Sequence, residues 1–353
     1  MNSATAFQID GRHIGGDAPP YVIAELSANH NGRLTTALDI VTAAKSSGAD
    51  AVKLQTYRPD TITLDSHGPD FIISSGLWAG RRLYDLYQEA HMPWDWHKPL
   101  FDHARKMEIS IFSSPFDSTA VDLLEDLNAP AYKIASFEAV DLALIRYVAS
   151  TRKPMIISTG MASREEIQEA IDTARSGGCT QLAILHCVSA YPADPADYNL
   201  RTIPDMARRF GVMTGLSDHT LDNSTAIASV ALGAAIIEKH FTLDRAGGGP
   251  DDSFSLEPGE LSALCRGVRT AWEALGSVNY SRKSGETGNV KFRRSLYVTR
   301  DVRAGDVADP SNVRSVRPGY GLPCRDFDEV MGKPFVTDVK AGTALAWSHL
   351  LRK

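Results

Sequence analysis

Eight strand-like runs separated by helix-length segments constrain the fold of this chain more than any other feature. They lie at 21–28, 51–57, 109–116, 131–136, 154–160, 182–189, 214–220 and 235–242. Several begin with continuous apolar residues, as strands buried on both faces do. The segments between them carry apolar residues at helical spacing, and Ser163 with Glu166 predicts a capping box that opens one helix. The pattern predicts a (β/α)8 TIM barrel, with a doubly wound open sheet as the structural alternative.

Polar and charged side chains collect at the carboxyl ends of these runs, where barrels of this kind carry their chemistry. In chain order they are Glu25, Ser27, Asn29, His30, Lys53, Gln55, Tyr57, Ser113, Ser114, Lys133, Ser136, Glu138, Ser158, Thr159, Ser189 and Tyr191. Strand interiors normally exclude lysine and glutamate, because burying their charges is costly unless they are paired or bind a ligand. A whole ring of such residues at one end therefore predicts a binding site.

A histidine closes each of the last two runs, His219 in GLSDHT and His240 in IIEKHFT. If both runs are neighbouring parallel strands, the two imidazoles lie side by side about 5 Å apart. Two imidazoles at that spacing can hold one divalent metal ion. A single histidine is more often an ordinary interior or surface residue, so the prediction of a metal site depends on the pair.

The net charge of −6 at pH 7 argues against nucleic acid or an anionic membrane as the main partner. An anionic substrate would therefore need a locally basic pocket. The four cysteines, Cys179, Cys187, Cys265 and Cys324, lie far apart and are expected to be reduced thiols. No apolar run approaches the ~20 residues that span a bilayer, and the N-terminal sequence lacks a signal-peptide pattern. These features predict a cytoplasmic protein.

The character of the sequence changes after residue 276. Residues 277–292 are polar and contain glycine, which is typical of a linker. Residues 293–353 have short β-like runs with turns every 8–12 residues, which predicts a small β-rich domain after a catalytic barrel of residues 1–276. Within the barrel, an aromatic-rich insert at 60–107 is expected to pack mostly into the core. The glycine-rich loop at 244–255 carries Asp251, either as a solvated charge or as a contact to sugar hydroxyls.

Several segments together resemble the sialic acid synthase family, which condenses phosphoenolpyruvate with sugars to give nine-carbon sugar acids. They are IAELSANHNG (23–32), KLQTY (53–57), YKIAS (132–136), STGMA (158–162), HCVSAYP (186–192), GLSDHT (215–220), EKHFTLDR (238–245) and RRSLY (293–297). The resemblance covers nearly the whole chain and implies a barrel followed by a SAF (antifreeze-like) domain. Segments 76–97, 112–117 and 132–138 are more similar to the branch that forms pseudaminic acid than to the N-acetylneuraminate or legionaminate branches.

The implied reaction joins phosphoenolpyruvate, water and 2,4-diacetamido-2,4,6-trideoxy-altrose to give pseudaminic acid and phosphate. By resemblance, His219 and His240 bind a divalent metal, with Mn²⁺ favoured and Mg²⁺ or Co²⁺ possible. The metal would polarise the sugar aldehyde, while Glu25 and Glu138 would orient the sugar and manage protons.

The remaining roles follow from the same resemblance. Phosphoenolpyruvate would take charge from Lys53 and Lys133 and hydrogen bonds from five serines, namely Ser114, Ser136, Ser158, Ser189 and Ser217. Members of the family commonly have asparagine at the position of Ser189, a departure that fits a different amino sugar. Gln55, Tyr191 and Asp251 would contact the sugar. Arg317 in VRPGYGL would reach the active site of the other subunit in a domain-swapped homodimer.

Three other interpretations stay open. The sugar could be the precursor of N-acetylneuraminate or legionaminate, with the same mechanism. Lys133 or Lys53 could instead form a Schiff base in a metal-independent aldolase, which leaves the histidine pair unexplained. The chain could also be a carbohydrate-binding protein with an inactive barrel, which leaves the ring of lysines and glutamates unexplained.

Overall fold

The chain, described here from a computed structural model that covers residues 6–351, divides into two compact units, Met1–Gly276 and Ser277–Lys353. The first unit opens with a hairpin of strands β1 (Phe7–Ile9) and β2 (Arg12–Ile14). Eight parallel strands follow: β3 (Tyr21–Glu25), β4 (Ala51–Thr56), β5 (Ser110–Pro115), β6 (Tyr132–Ile134), β7 (Met155–Ser158), β8 (Leu182–Cys187), β9 (Met213–Asp218) and β10 (Ile236–His240). They form a closed barrel in which β10 pairs with both β9 and β3. The predicted (β/α)8 barrel is confirmed, and closure excludes the open sheet.

Helices surround the barrel. They are α1 (Leu34–Ser47), α2 (Pro59–Ile62), α3 (Leu83–Ala90), α4 (Trp94–Met107), α5 (Ser118–Asp126), α6 (Leu142–Ser150), α7 (Arg164–Ser176), α8 (Thr202–Phe210), α9 (Ser224–Ala231) and α10 (Pro258–Leu275). The capping box predicted for α7 is present, because the Ser163 side chain accepts from the Glu166 amide and the Glu166 carboxylate accepts from the Ser163 amide. The stripes of apolar residues on these helices pack against the outer faces of the strands and form the larger hydrophobic core.

The barrel interior changes character along its axis. Its amino-terminal half is an apolar core to which the hairpin contributes, and its members include Phe7, Ile9, Tyr21, Phe112 and Ile236. The next inward-facing residue along the strand, two positions later, is polar: Glu25 follows Ile23 on β3, and Glu238 follows Ile236 on β10. The apolar half supplies the packing energy, so the carboxyl-terminal half is free to carry charge.

The second unit contains β11 (Ser295–Val298) and β12 (Val313–Val316), which pair antiparallel, and the short helix α11 (Phe327–Val330). Isolated antiparallel bridges such as Val302–Val339 and Phe335–Leu350 extend this β structure. Ten buried apolar residues, among them Leu296 and Val313, form a separate small core. Over residues 6–351, none of the helices has the length and apolar character needed to cross a membrane.

Candidate active site

Four ionisable side chains meet in the polar half of the barrel. Lys53 Nζ lies 2.9 Å from Glu25 Oε2 and 3.1 Å from Glu238 Oε2, and Lys133 Nζ lies 3.3 Å from Glu238 Oε1. Each of the four side chains is at most 5% exposed. Ser217 Oγ donates to Glu238 Oε1 at 3.0 Å. Buried charges of this kind are tolerated because they alternate in sign, with two cations and two carboxylates in contact.

Strand register produces this cluster. Glu25 on β3 lies opposite Lys53 on β4, and on the other side it lies opposite His240 on β10. Glu238 on β10 lies opposite Ser217 on β9. Because side chains alternate between the two faces of a strand, Glu238 and His240 both point into the barrel.

The pKa values of the four groups in this cluster are shifted in different directions. Burial raises the pKa of Glu25 to about 7 although Lys53 opposes the shift. Burial also acts on Glu238, but Lys133 and Lys53 outweigh it and hold the pKa of Glu238 at about 2. Burial lowers the pKa of Lys133 to about 8, whereas the two carboxylates outweigh burial at Lys53 and raise its pKa. At neutral pH the cluster therefore carries a net positive charge, since Glu25 is partly protonated.

Glu138, just after β6, is a second carboxyl group with a raised pKa, about 7, caused by burial and moderated by Lys133. Its Oε2 is buried and makes no hydrogen bond to any residue of the described chain. A carboxyl group with a pKa near the working pH is suited to donate and accept protons during catalysis.

The pKa of Glu138 predicts a pH-dependent stability. The folded state holds this proton up to about pH 7, whereas an unfolded glutamate releases it near 4.5, so stability is lost as pH rises through this window. We expect Glu138→Gln to stabilise the first unit by up to about 3 kcal/mol at pH 8 and to have little effect at pH 4. Urea unfolding at the two pH values measures this. Equal effects at both would contradict it, and Glu169→Gln on the exposed face of α7 is the control.

The two predicted histidines are neighbours. Lys239 lies opposite Asp218 in the β9–β10 register, so His219 and His240 follow side by side, with ring centroids 5.3 Å apart. His219 Nδ1 donates to the Val188 carbonyl at 2.8 Å, which leaves Nε2 as the nitrogen available to a ligand. Burial lowers the pKa of His219, but Cys187, with Sγ 3.9 Å from Nδ1, and the Val188 carbonyl outweigh burial and raise it.

His240 differs from His219 in its electrostatics. Burial, together with His219 and Lys53, holds the pKa of His240 well below its ordinary value, so the ring is neutral at pH 7. Its buried Nδ1 has no hydrogen bond within residues 6–351, and the nearest carboxylate, Asp251 Oδ2, lies 4.0 Å away.

This pair fits a divalent metal ion. Both histidines offer a nitrogen lone pair, and the carbonyl behind His219 is the outer-shell partner that metal-bound histidines usually have. Three or more His, Cys, Asp or Glu side chains do not converge with metal-binding geometry anywhere in residues 6–351. The histidine pair could therefore supply two nitrogen ligands, which would leave other coordination positions to substrate and water.

The open carboxyl-terminal end of the barrel forms the mouth of the site. Serines line the side of this mouth that β5, β6 and β7 form. The Gly160 amide donates to Ser136 Oγ at 3.1 Å, and a Cβ added at Gly160 would overlap Ser136 and Ser189. Ser114 Oγ and Ser158 Oγ are buried and lack hydrogen-bond partners in the described part of the chain. Buried hydroxyl groups without partners are costly, so these two are suited to bind a polar ligand.

A hydrogen-bond chain joins the glycine-rich loop to the cluster. Gln55 Nε2 donates to Glu25 Oε1 and to Ser27 Oγ, both at 3.0 Å, and Ser27 Oγ donates to Asp251 Oδ2. Burial raises the pKa of Asp251. Asp251 is thus a part of the strand-end mouth, and the alternative of a solvated loop charge is wrong.

Aromatic side chains form a wall beside the histidines. The Tyr191 ring lies 4.5 Å from that of His219, 5.7 Å from that of Trp78 and 5.2 Å from that of Phe254. Trp78 comes from the insert and donates its Nε1 hydrogen to the Pro250 carbonyl at 3.2 Å. At least this aromatic residue of the insert therefore lines the mouth.

Arg317 is the one predicted site residue that lies in the second unit, where it is exposed directly after β12. The other predicted residues surround the mouth of the barrel. The sequence shows Ser27 as a polar strand end and Trp78 as one of several aromatic residues of the insert, but their contacts depend on loops that sequence patterns do not specify. Glu238 is recognisable in the sequence as a charged neighbour of His240, and alternation in IIEKH puts both on the same strand face.

This protein thus has the architecture of a (β/α)8-barrel enzyme with an additional small domain. It has a closed barrel with a charged mouth, followed by a small β-rich unit. The NeuB family model matches residues 40–280, and the SAF domain model matches residues 293–351. The chain belongs to the NeuB family.

Curated relatives and a solved structure agree with this assignment. The chain is 43% identical to pseudaminic acid synthase of Campylobacter jejuni over 93% of this chain and 96% of the relative. It is also 43% identical to pseudaminic acid synthase of Helicobacter pylori, over 95% and 98%. Identity to N,N'-diacetyllegionaminic acid synthase of Campylobacter jejuni is 35% over 88% and 94%. The crystal structure of the spore coat polysaccharide biosynthesis protein SpsE of Bacillus subtilis matches with a TM-score of 0.67 at 36% identity, over 99% and 100%.

Proposed function

We propose that this enzyme condenses phosphoenolpyruvate with 2,4-diacetamido-2,4,6-trideoxy-altrose and water to give pseudaminic acid and phosphate. The observation that carries the chemistry is the lysine–glutamate cluster directly beside the histidine pair. It puts a buried positive site next to a site suited to a metal. The choice of sugar is supported by 43% identity to pseudaminic acid synthases against 35% to the legionaminic acid synthase.

Phosphoenolpyruvate carries a carboxylate and a phosphate, so its binding needs cations and convergent hydrogen-bond donors. We assign the cations to Lys53 and Lys133. The donors are the hydroxyl groups of Ser114, Ser136, Ser158, Ser189 and Ser217. The hydroxyl groups of Ser114 and Ser158 support this assignment most directly, because they are buried and have no hydrogen-bond partner among residues 6–351.

The sugar would bind on the other side of the mouth, against Gln55, Asp251 and Tyr191. His219 and His240 would hold a divalent metal, with Mn²⁺ favoured, and when bound it supplies Lewis-acid polarisation of the sugar aldehyde. The aromatic wall of Tyr191, Trp78 and Phe254 suits a sugar with a 6-deoxy methyl and acetamido methyl groups, since apolar groups favour apolar contacts.

The reaction forms one carbon–carbon bond and, at C2, replaces the carbon–oxygen bond to phosphate by one to the oxygen of water. The C3 carbon of phosphoenolpyruvate attacks the aldehyde carbon, and the aldehyde oxygen takes up a proton. Water adds at C2 and loses one proton, and the resulting C2 hydroxyl group then loses its proton as the C2–O bond to phosphate breaks, which gives the C2 ketone and inorganic phosphate. Glu25 and Glu138 both have pKa values of about 7, so each can exist in the acid or base form that these transfers require.

Phosphate release from phosphoenolpyruvate tests the proposal. With Mn²⁺ present we expect the altro diacetamido sugar to be used at least about tenfold better than the legionaminate precursor or N-acetylmannosamine, and EDTA to abolish turnover. Preference for another sugar would contradict the proposed identity of the sugar substrate but not the proposed mechanism. Turnover that resists EDTA, with trapping of Lys133 by borohydride, would support the aldolase instead.

We further propose a cytoplasmic homodimer in which Arg317 of each chain reaches the sugar site of the other. The support is the resemblance of VRPGYGL to the family pattern and the exposure of Arg317, while four free cysteines are consistent with a reducing compartment.

Arg317→Ala tests this assembly. We expect the variant to raise the KM for the sugar about tenfold or more, because a charged hydrogen bond to the substrate is lost, while the barrel stays folded. Steady-state kinetics and circular dichroism measure the two effects. Arg314→Ala on the exposed face of β12 is the matched control. Unchanged kinetics in Arg317→Ala would contradict the capping arrangement.

A further inference from the structure

A lysine that takes no part in the charged cluster lies between the two strand ends that carry the histidines. Lys239 precedes His240 on β10 and is 2% exposed. Because side chains alternate along a strand, Lys239 points away from the barrel interior, to the face opposite Glu238 and His240. Outward positions of barrel strands are normally apolar, so a buried lysine at this position requires an explanation.

The hydrogen bonds of Lys239 all go to the turn that contains His219. Its Nζ donates to Asp218 Oδ2 at 2.8 Å, to the Thr220 carbonyl at 2.7 Å and to the Asp222 carbonyl at 2.9 Å. An ammonium group has three hydrogens, so these three acceptors satisfy it completely. The other oxygen of Asp218 accepts from the Thr220 amide at 2.9 Å, which closes the turn on itself.

His219 is therefore held from two sides. On one side, its amide donates to the Tyr198 hydroxyl at 2.7 Å and its ring donates to the Val188 carbonyl. On the other side, Lys239 fixes both residues that flank it, Asp218 and Thr220. The same lysine directly precedes His240 in the chain, so its side chain links the turn that carries His219 to the strand end that carries His240.

We infer that Lys239 is a positioning residue that fixes the spacing and orientation of His219 relative to His240 and so sets the affinity of the histidine pair for a divalent metal. The inference rests on the proposed metal role of the two histidines. Lys239 touches neither substrate nor metal in this account. It acts by holding the turn, as the outer-shell partners of metal ligands do elsewhere.

The test measures Mn²⁺ binding by electron paramagnetic resonance in the absence of substrate. We expect Lys239→Met to raise the Kd for Mn²⁺ about 10–100-fold, the range typical of lost outer-shell partners. It should also change the visible absorption spectrum of bound Co²⁺, which reports ligand geometry. A lysine that served stability alone would alter neither.

Two further variants separate positioning from folding. Lys239→Met leaves Asp218 buried without its partner, so Asp218→Asn combined with Lys239→Met removes both charges and keeps the shapes similar. Val148→Ala creates a cavity on the core-facing side of α6. It is the control for lowered stability, because it leaves the turn that contains His219 intact. We expect weakened metal binding in the double variant and wild-type binding in Val148→Ala.

Wild-type Mn²⁺ affinity and Co²⁺ spectrum in the double variant would overturn the positioning role and leave the proposed function intact. Mn²⁺ affinity in His219→Ala equal to that of the wild-type protein would overturn the metal role of the histidines, and the inference with it. The two failures are therefore distinguishable in one set of titrations.

Discussion

His240→Ala is expected to abolish metal binding and to lower kcat/KM about 10³-fold or more. The substitution removes one of the two paired imidazoles proposed to hold the metal, and polarisation of a carbonyl by a metal ion is worth several kcal/mol in the transition state. Binding of Mn²⁺ measured by electron paramagnetic resonance and phosphate release measured in parallel should fall together.

The matched control for this variant is His13→Ala, in the exposed part of the hairpin. It removes an imidazole without touching the mouth, so metal affinity and turnover should stay at wild-type values. Retained turnover in His240→Ala, still sensitive to EDTA, would show that the metal binds elsewhere and would contradict the paired-histidine site.

Lys53→Met is expected to abolish phosphoenolpyruvate binding and to destabilise the first unit by about 3–5 kcal/mol at pH 8. Lys53 contacts Glu25 and Glu238, so its loss leaves two buried carboxylates with Lys133 alone. Calorimetric titration with phosphoenolpyruvate and urea unfolding measure the two effects.

The instability of Lys53→Met should depend on pH. Without Lys53 the pKa of Glu238 rises from about 2 and that of Glu25 rises above about 7, because each loses a cation that opposed burial. The folded variant then binds more protons than the unfolded chain above the ordinary glutamate pKa, so its stability falls as pH rises from 5 to 8. Equal destabilisation at both pH values would contradict this electrostatic account.

A double variant separates folding from binding. Lys53→Met combined with Glu238→Gln removes one cation and one carboxylate. Most of the stability lost in Lys53→Met should therefore be restored, whereas phosphoenolpyruvate binding should remain absent. Lys98→Met, which breaks an exposed ion pair with Asp102 on α4, is the control and should cost less than about 1 kcal/mol. Recovery of binding in the double variant would exclude Lys53 as a direct contact to the substrate.

The sequence alone indicated an α/β architecture with parallel strands and most of the residues of the mouth. Eight runs with continuous apolar starts indicated parallel strands buried on both faces, which a barrel and a doubly wound sheet share, so closure of the barrel was decided by the tertiary structure. The ends of those runs then had to meet at one rim, which brought Glu25, Lys53, Lys133 and the histidine pair together without any knowledge of the loops. Both histidines could be assigned as neighbours, since one helix-length segment separates their strands.

Only the tertiary structure decided which charges are paired and which groups titrate near neutrality. Glu25 and Glu238 both end up in the same cluster, yet one has a pKa of about 7 and the other of about 2, because Glu238 touches both lysines and Glu25 touches one. Likewise Ser27, Trp78 and Lys239 gain their importance from contacts across loops and between strands. Such contacts depend on the packing of distant segments, and periodicity along a single chain carries no information about them.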